Sequence, residues 1–300
     1  MIIKKDLAYM DALVKVLGTA QDGGLPQIGC YCQNCLWARE DPLFARSVSS
    51  LAIFDLRESK FFLLDATPDI RGQLDTAFER LGDKRSGLRN APHGILLSHA
   101  HIGHYTGLML FGEEAMAAHK LPVYCSSQMR QFLENNGPWS QLVQNENIAF
   151  PPFPLDEEVH LTSQISITPF QVPHRNEFSD TLGLIIGGKQ KQLLYIPDIR
   201  NWEAGGRPII DKIEKVEVAI LDGSFYNSQE LPDRDLTLIG HPFIETSVEI
   251  LGSIAEQGKP EIFFTHLNHT NPVLDPEGEP RKKIKERGFK IAFDGMEIVL

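Results

Sequence analysis

A strand that runs into three histidines constrains this chain more than any other feature of its 300 residues. The stretch GILLSHAHIGHYTGL, residues 94–108, passes from an aliphatic segment directly into His99, His101 and His104. In extended backbone, residues i and i+2 point the same way, so His99 and His101 can present two imidazoles to one ion. His104 stands near the start of helix-like sequence and can turn towards a neighbouring position. Imidazole suits zinc, iron, nickel and copper, and an added carboxylate makes room for manganese.

Several other apolar runs read as strands: residues 13–18, 51–56, 60–66, 216–223 and 261–266. Residues 181–198 read as a hairpin turning around Gly187 and Gly188. Residues 69–82 carry Ile70, Leu74, Phe78 and Leu81 at helical spacing, with Gly82 as the C-cap, and 247–258 form a second helix. Strands interspersed with helices predict a layered α/β arrangement in which helices cover packed sheets. No repeat or long linker interrupts it, so residues 1–300 are expected to form one domain. His99, His174, His266 and Asp198 each stand just past an apparent strand end, where a rigid scaffold commonly carries functional groups.

The net charge of −11 disfavours nucleic acid and anionic membrane as partners, because both repel an acidic surface. No run of about 18 apolar residues indicates a membrane span, and the first residues do not read as a signal peptide. The expected compartment is therefore the cytoplasm. Three of the four cysteines, Cys30, Cys32 and Cys35, fall within six residues. That clustering speaks for a soft tetrahedral ion rather than dispersed disulfides. Cys125, in LPVYCSS, reads as a core thiol.

SHAHIGH resembles the His-x-His-x-Asp-His signature of the metallo-β-lactamase fold, an αββα sandwich with its metals at one edge. The fold's later signatures follow in order: Asp65 in LLDATPD, His174 in VPHR, Asp198 in YIPD and His266 in FTHL. The resemblance implies that His99, His101 and His174 bind one divalent ion and that His104 and His266 bind a second. Asp198 would bridge the two, with Asp65 behind the ligands. VLGTAQDGGLPQIGCYCQNC, TPDIRGQL, THLNHTNP and FDGMEI are similar to the PqqB-like branch, which serves pyrroloquinoline quinone biosynthesis. The retained ligands make the site look more like that of the PhnP-type phosphodiesterases. From those it follows, as an implication of the resemblance, that His269 completes a structural zinc site with Cys30, Cys32 and Cys35. His241 would protonate a leaving group.

The reading that follows is a metal-dependent hydrolase of a small phosphodiester or ester-like substrate, with zinc, manganese or iron lowering the pKa of a bound water. Its substrate is expected to be small and anionic, and a homodimer is left open. The alternatives are iron-dependent hydroxylation of a tyrosine-containing peptide, as implied by the PqqB-like branch, and a non-catalytic metal-stabilised binding module. His93, His119 and His160 read as non-catalytic. Gly103 stands where the signature carries Asp, so the second ion is expected to bind more weakly than the first, and Gly103→Asp to tighten it.

Overall fold

Among the described residues, two seven-stranded sheets lie face to face between two layers of helices. The computed structural model describes residues 11–81, 90–231, 235 and 239–300, so the predicted C-cap at Gly82 and the N-terminal ten residues lie outside the described residues. The first sheet contains β1 (Ala12–Gly18), β2 (Ser50–Asp55), β3 (Lys60–Leu64), β4 (Ile95–Leu96), β5 (Leu121–Tyr124) and β6 (Ile148–Ala149). The second contains β7 (Val159–His160), β8 (Ser166–Val172), β9 (Thr181–Gly187), β10 (Gln192–Ile196), β11 (Val218–Asp222), β12 (Glu261–Thr265) and β13 (Phe289–Ile291). The chain then returns as β14 (Glu297–Val299) to pair antiparallel with β1 at the edge of the first sheet.

The two sheets share a plan. Strands β1–β3 pair antiparallel and β3–β6 parallel; β7–β10 pair antiparallel and β10–β13 parallel. The helices are α1 (Gln33–Glu40), α2 (Ile70–Leu81), α3 (Ile102–Tyr105), α4 (Ser127–Asn135), α5 (Trp139–Gln144), α6 (Trp202–Lys215), α7 (Ile244–Ala255) and α8 (Glu279–Glu286).

The central strands are apolar at consecutive positions because both of their faces are covered. Phe62 and Leu64 of β3 face the other sheet, where Tyr195 and Ile220 pack against the same core, while Phe61 and Leu63 face α2 and α4. In the second sheet Leu193 and Tyr195 point inward, and Leu194 and Ile196 pack with Ile213 of α6 and Leu251 of α7. Each such side chain, fully buried, contributes roughly 1.5–3 kcal/mol of transfer free energy. This is the αββα sandwich that the sequence resemblance implies. Cys125 is buried in the layer between the first sheet and its helices, as a core thiol would be.

One expected strand is much shorter than predicted. Residues 94–100 read as a strand, yet only Ile95 and Leu96 pair; Leu97 N–H still donates to Tyr124 O of β5 at 2.9 Å, and from Ser98 the chain forms the histidine loop. Ser98 is drawn out of the sheet by Asp65, which accepts from both its N–H (2.8 Å) and its hydroxyl (2.9 Å).

Candidate metal centre

The histidines gather where the ends of β4, β8, β10 and β12 meet across the seam between the sheets. Around one point stand His99, His101, His174 and Asp198, with ligand atoms within 4.8 Å of one another. His99 Nε2 lies 2.9 Å and His174 Nε2 3.2 Å from His101 Nδ1, and Asp198 Oδ1 lies 3.7 Å from His174 Nε2. Beside it a second point gathers His104 Nε2 and His266 Nε2, at 3.2 and 3.6 Å from the other oxygen of Asp198. Asp198 thus offers one oxygen to each half.

The imidazoles are held from behind. His104 Nδ1 meets Asp65 Oδ2 at 2.7 Å, His99 Nδ1 meets Ser98 Oγ at 3.0 Å, and His266 Nδ1 meets Ser224 Oγ at 2.9 Å. His101 is turned the other way, its Nε2 3.1 Å from Glu177 Oε2, which leaves Nδ1 facing its neighbours. Such partners fix ring orientation and tautomer at metal sites. Asp65 and His266 also hold left-handed backbone, with φ of 64° and 57°. That conformation costs a non-glycine residue roughly 1–3 kcal/mol and concentrates at functional sites.

The atoms that face the centre fit a divalent cation. His104 Nε2, His266 Nε2 and Asp198 Oδ2 are buried and make no hydrogen bond, a costly arrangement unless something else satisfies them. Burial holds His99 well below the usual imidazole range and takes His174 down to about 4, so both are neutral and offer a lone pair. His104 differs. Burial opposes its charge, but Asp65 and Asp198 outweigh it and raise it to about 10, so a proton balances the carboxylates there and an ion must displace it.

Two carboxylates at this centre escape a reading of the sequence alone. Asp222, which ends β11 as Asp65 follows β3, accepts from His241 Nδ1 at 2.7 Å, from the Ser224 hydroxyl at 2.7 Å and from the Ile199 N–H at 3.0 Å. The strand-ending LDG could have pointed to it, by analogy with LDA at Asp65. Asp22, on the loop after β1, brings Oδ1 to 3.6 Å from His104 Nε2 and 3.7 Å from His266 Nε2. The space beside Gly103 is therefore not open. A Cβ there would run into Asp22 Oδ1 and lie 2.8 Å from its Cγ. This removes the ground for expecting a weaker second ion and for expecting Gly103→Asp to help.

The thiolate cluster lies close by. Cys32 Sγ and Cys35 Sγ are 3.5 and 3.6 Å from His269 Nδ1, and Cys30 joins the same group. His269 follows His266 by three positions in the same loop. A cavity of about 510 Å³ opens beside both groups, lined by Asp22, Arg175, Phe225, His241, His269 and Thr270. Phe225, from SFYN, faces this cavity, whereas Tyr226 is buried in the core. A broader cavity of about 790 Å³ beyond Gly23 and Gly24 is lined by none of the histidines. His119 and His160 are exposed, and His93 packs against Phe61 and Phe62, so all three stand outside the centre.

Residues 60–267 match the model of the beta-lactamase superfamily domain. The coenzyme PQQ synthesis protein B of Pseudomonas protegens is 30% identical over 96% of this chain and 99% of its own length. The crystal structure of Zn²⁺-bound PqqB from Methylobacterium extorquens superimposes with a TM-score of 0.81 at 26% identity, covering 96% of this chain and all of that one. A diphosphatase of the PhnP family shares the fold, with a TM-score of 0.67 at 22% identity over 96% of each chain. The chain belongs to the beta-lactamase superfamily, in its PqqB-like branch.

Proposed function

We propose that this chain is a metal-dependent enzyme with the biosynthetic role of its PqqB relatives, acting on an anionic intermediate of coenzyme PQQ formation. The observation that carries this is the extent of the likeness, which runs over 96% of the chain rather than over the ligand motifs alone. Three imidazoles with a carboxylate accept iron as well as zinc. An iron-dependent hydroxylation of a tyrosine-containing peptide is the reaction class that goes with this role.

A second reading, hydrolysis of a small phosphodiester, is favoured by a different observation: two half-sites share Asp198, and His241 stands beside them. A divalent ion held there supplies Lewis acidity and a water of lowered pKa. The protein's own groups do the rest. Asp198 spaces the two half-sites. Burial works against a charge on His241, but Asp222 and Asp198 raise its pKa, so it can hold a proton at the cavity for a leaving group. Arg175 offers an anionic substrate a positive charge on the same wall. Either reading goes with a cytoplasmic location, and among the described residues no helix is long and apolar enough to cross a membrane.

The deciding experiment is metal analysis of protein purified without added metal, paired with oxygen uptake on tyrosyl peptides and turnover of a phosphodiester panel. Bound iron with peptide-dependent oxygen uptake supports the biosynthetic reading. Diester turnover without oxygen uptake overturns it in favour of hydrolysis.

A further inference from the structure

We propose that Asp22 is a ligand of the second ion, supplying from the loop after β1 the carboxylate that the histidine motif lacks at Gly103. The inference rests on the metal-dependent reading above, but on neither of its substrates.

Four atoms converge at this half-site: Asp22 Oδ1, His104 Nε2, His266 Nε2 and Asp198 Oδ2. All four are buried and all four lack a hydrogen-bond partner. Two carboxylates and two imidazoles make a four-ligand set for a hard or borderline divalent ion once the proton on His104 is displaced. Although the Asp22 side chain is one-third exposed, the exposure falls elsewhere, and Oδ1 points inward.

The backbone places Asp22 deliberately close to His266. Leu267 N–H donates to Thr19 O at 2.8 Å and Gln21 N–H donates to Leu267 O at 3.0 Å, so the loop runs beside the histidine it would share an ion with. Gly24, at φ 70°, then turns the chain away, with its N–H on Gln21 O at 2.8 Å.

Gly103 is the other half of the arrangement. It lies inside α3, with no positive φ, so its backbone would accept an ordinary residue. What excludes a side chain is Asp22 itself, whose Cγ and Cα would lie 2.8 and 2.9 Å from a Cβ at 103. Side chains at both 22 and 103 cannot occupy this corner. An aspartate at 22 requires a glycine at 103, and the charge lost from the motif is restored from 81 positions earlier in the chain.

Titration of metal-stripped protein with Mn²⁺ tests this, because manganese prefers the oxygen and imidazole donors here to the thiolates. The unmodified protein is expected to take two Mn²⁺ ions and to show the exchange-coupled EPR signal of a pair. Asp22→Asn, nearly isosteric, should weaken the second ion roughly tenfold or more and leave the spectrum of an isolated ion, as loss of a ligand demands at least what loss of a supporting partner does. Gly103→Asp alone should weaken it too, since the new side chain collides with Asp22. Asp22→Gly combined with Gly103→Asp should bind the second ion more tightly than Asp22→Gly alone. A single Mn²⁺ in the unmodified protein, a second ion held within twofold in Asp22→Asn, or no gain in the double variant would each overturn the assignment. These readings need no substrate. If they hold while both activity screens fail, the functional reading falls and the ligand stands.

Discussion

The two candidate ion sites of this molecule are built in opposite ways. Cys30, Cys32 and Cys35 come from one six-residue stretch, Cys30 and Cys32 are only partly buried, and a single distant residue, His269, completes the group. The imidazole–carboxylate centre gathers its ligands from the histidine loop after β4, the loop after β1 and the ends of β8, β10 and β12, and almost all are buried. A local cluster can gather its ion whenever its loop is formed. A dispersed one exists only when both sheets are in register, so its geometry reports on the whole fold. The two touch through one loop, with His266 in one and His269 in the other.

Replacement of Asp198 by Ala should produce the largest separation between them. Both half-sites lose a carboxylate oxygen, so the strand-end ions should leave while the thiolate zinc stays. Activity should fall on the order of a thousandfold, the several kcal/mol that a bound ion contributes to a charged transition state. Metal analysis and turnover check this. A variant that lost all metal would show that the sites are not separable.

Cys32→Ser is the reverse cut. At zinc a hundredfold above its Kd, a structural site contributes about 2.7 kcal/mol, so the melting temperature should drop by about 4 °C. One zinc should be lost per chain, and activity should decline less than in Asp198→Ala, through displacement of His266. An unchanged zinc count would dissolve the cluster as a site.

Asp65→Asn touches only the support. It keeps the size of the side chain but removes the charge behind His104 Nδ1, so affinity for the second ion should fall by about 10- to 100-fold with little change in the first. Equal losses at both ions would mean that Asp65 serves the loop through Ser98 rather than one ligand. The smallest effect is expected for Glu177→Gln, because this carboxylate is 47% exposed and an amide oxygen can still accept from His101. Activity and metal content should change less than about fivefold; a larger loss would place Glu177 among the groups that act on substrate.

The parts of this architecture that could be read from sequence are those carried by periodicity or close spacing. The apolar runs of β2, β3, β10, β11 and β12 stand out because both faces are buried, and the histidines stand out because they follow those runs directly. The short β4 was hidden, since nothing in GILLSHA marks where hydrogen bonding to the sheet stops and hydrogen bonding to Asp65 begins. Asp22 and Asp222 were hidden for a related reason. Each looks like an ordinary acidic turn residue, and each acquires meaning only from a partner across the fold: Gly103 and His266 for one, His241 for the other. An absence in one motif, the missing side chain at 103, was legible; its cause was not.

The position of Asp198 and the histidines across the seam has a mechanical consequence. His99, His101 and His104 hang from the first sheet, while His174, Asp198 and His266 hang from the second. The interface between the sheets is apolar, and apolar contact resists separation better than it resists sliding, because it has little directionality. An ion shared by His99 and Asp198 acts as a removable rivet. It ties two points 99 positions apart, and a permanent link closing a loop of about 100 residues removes roughly 4.7 kcal/mol of freedom from the unfolded chain. Metal supply would thus set not only whether the centre reacts, but how firmly the two halves of the sandwich are locked in alignment.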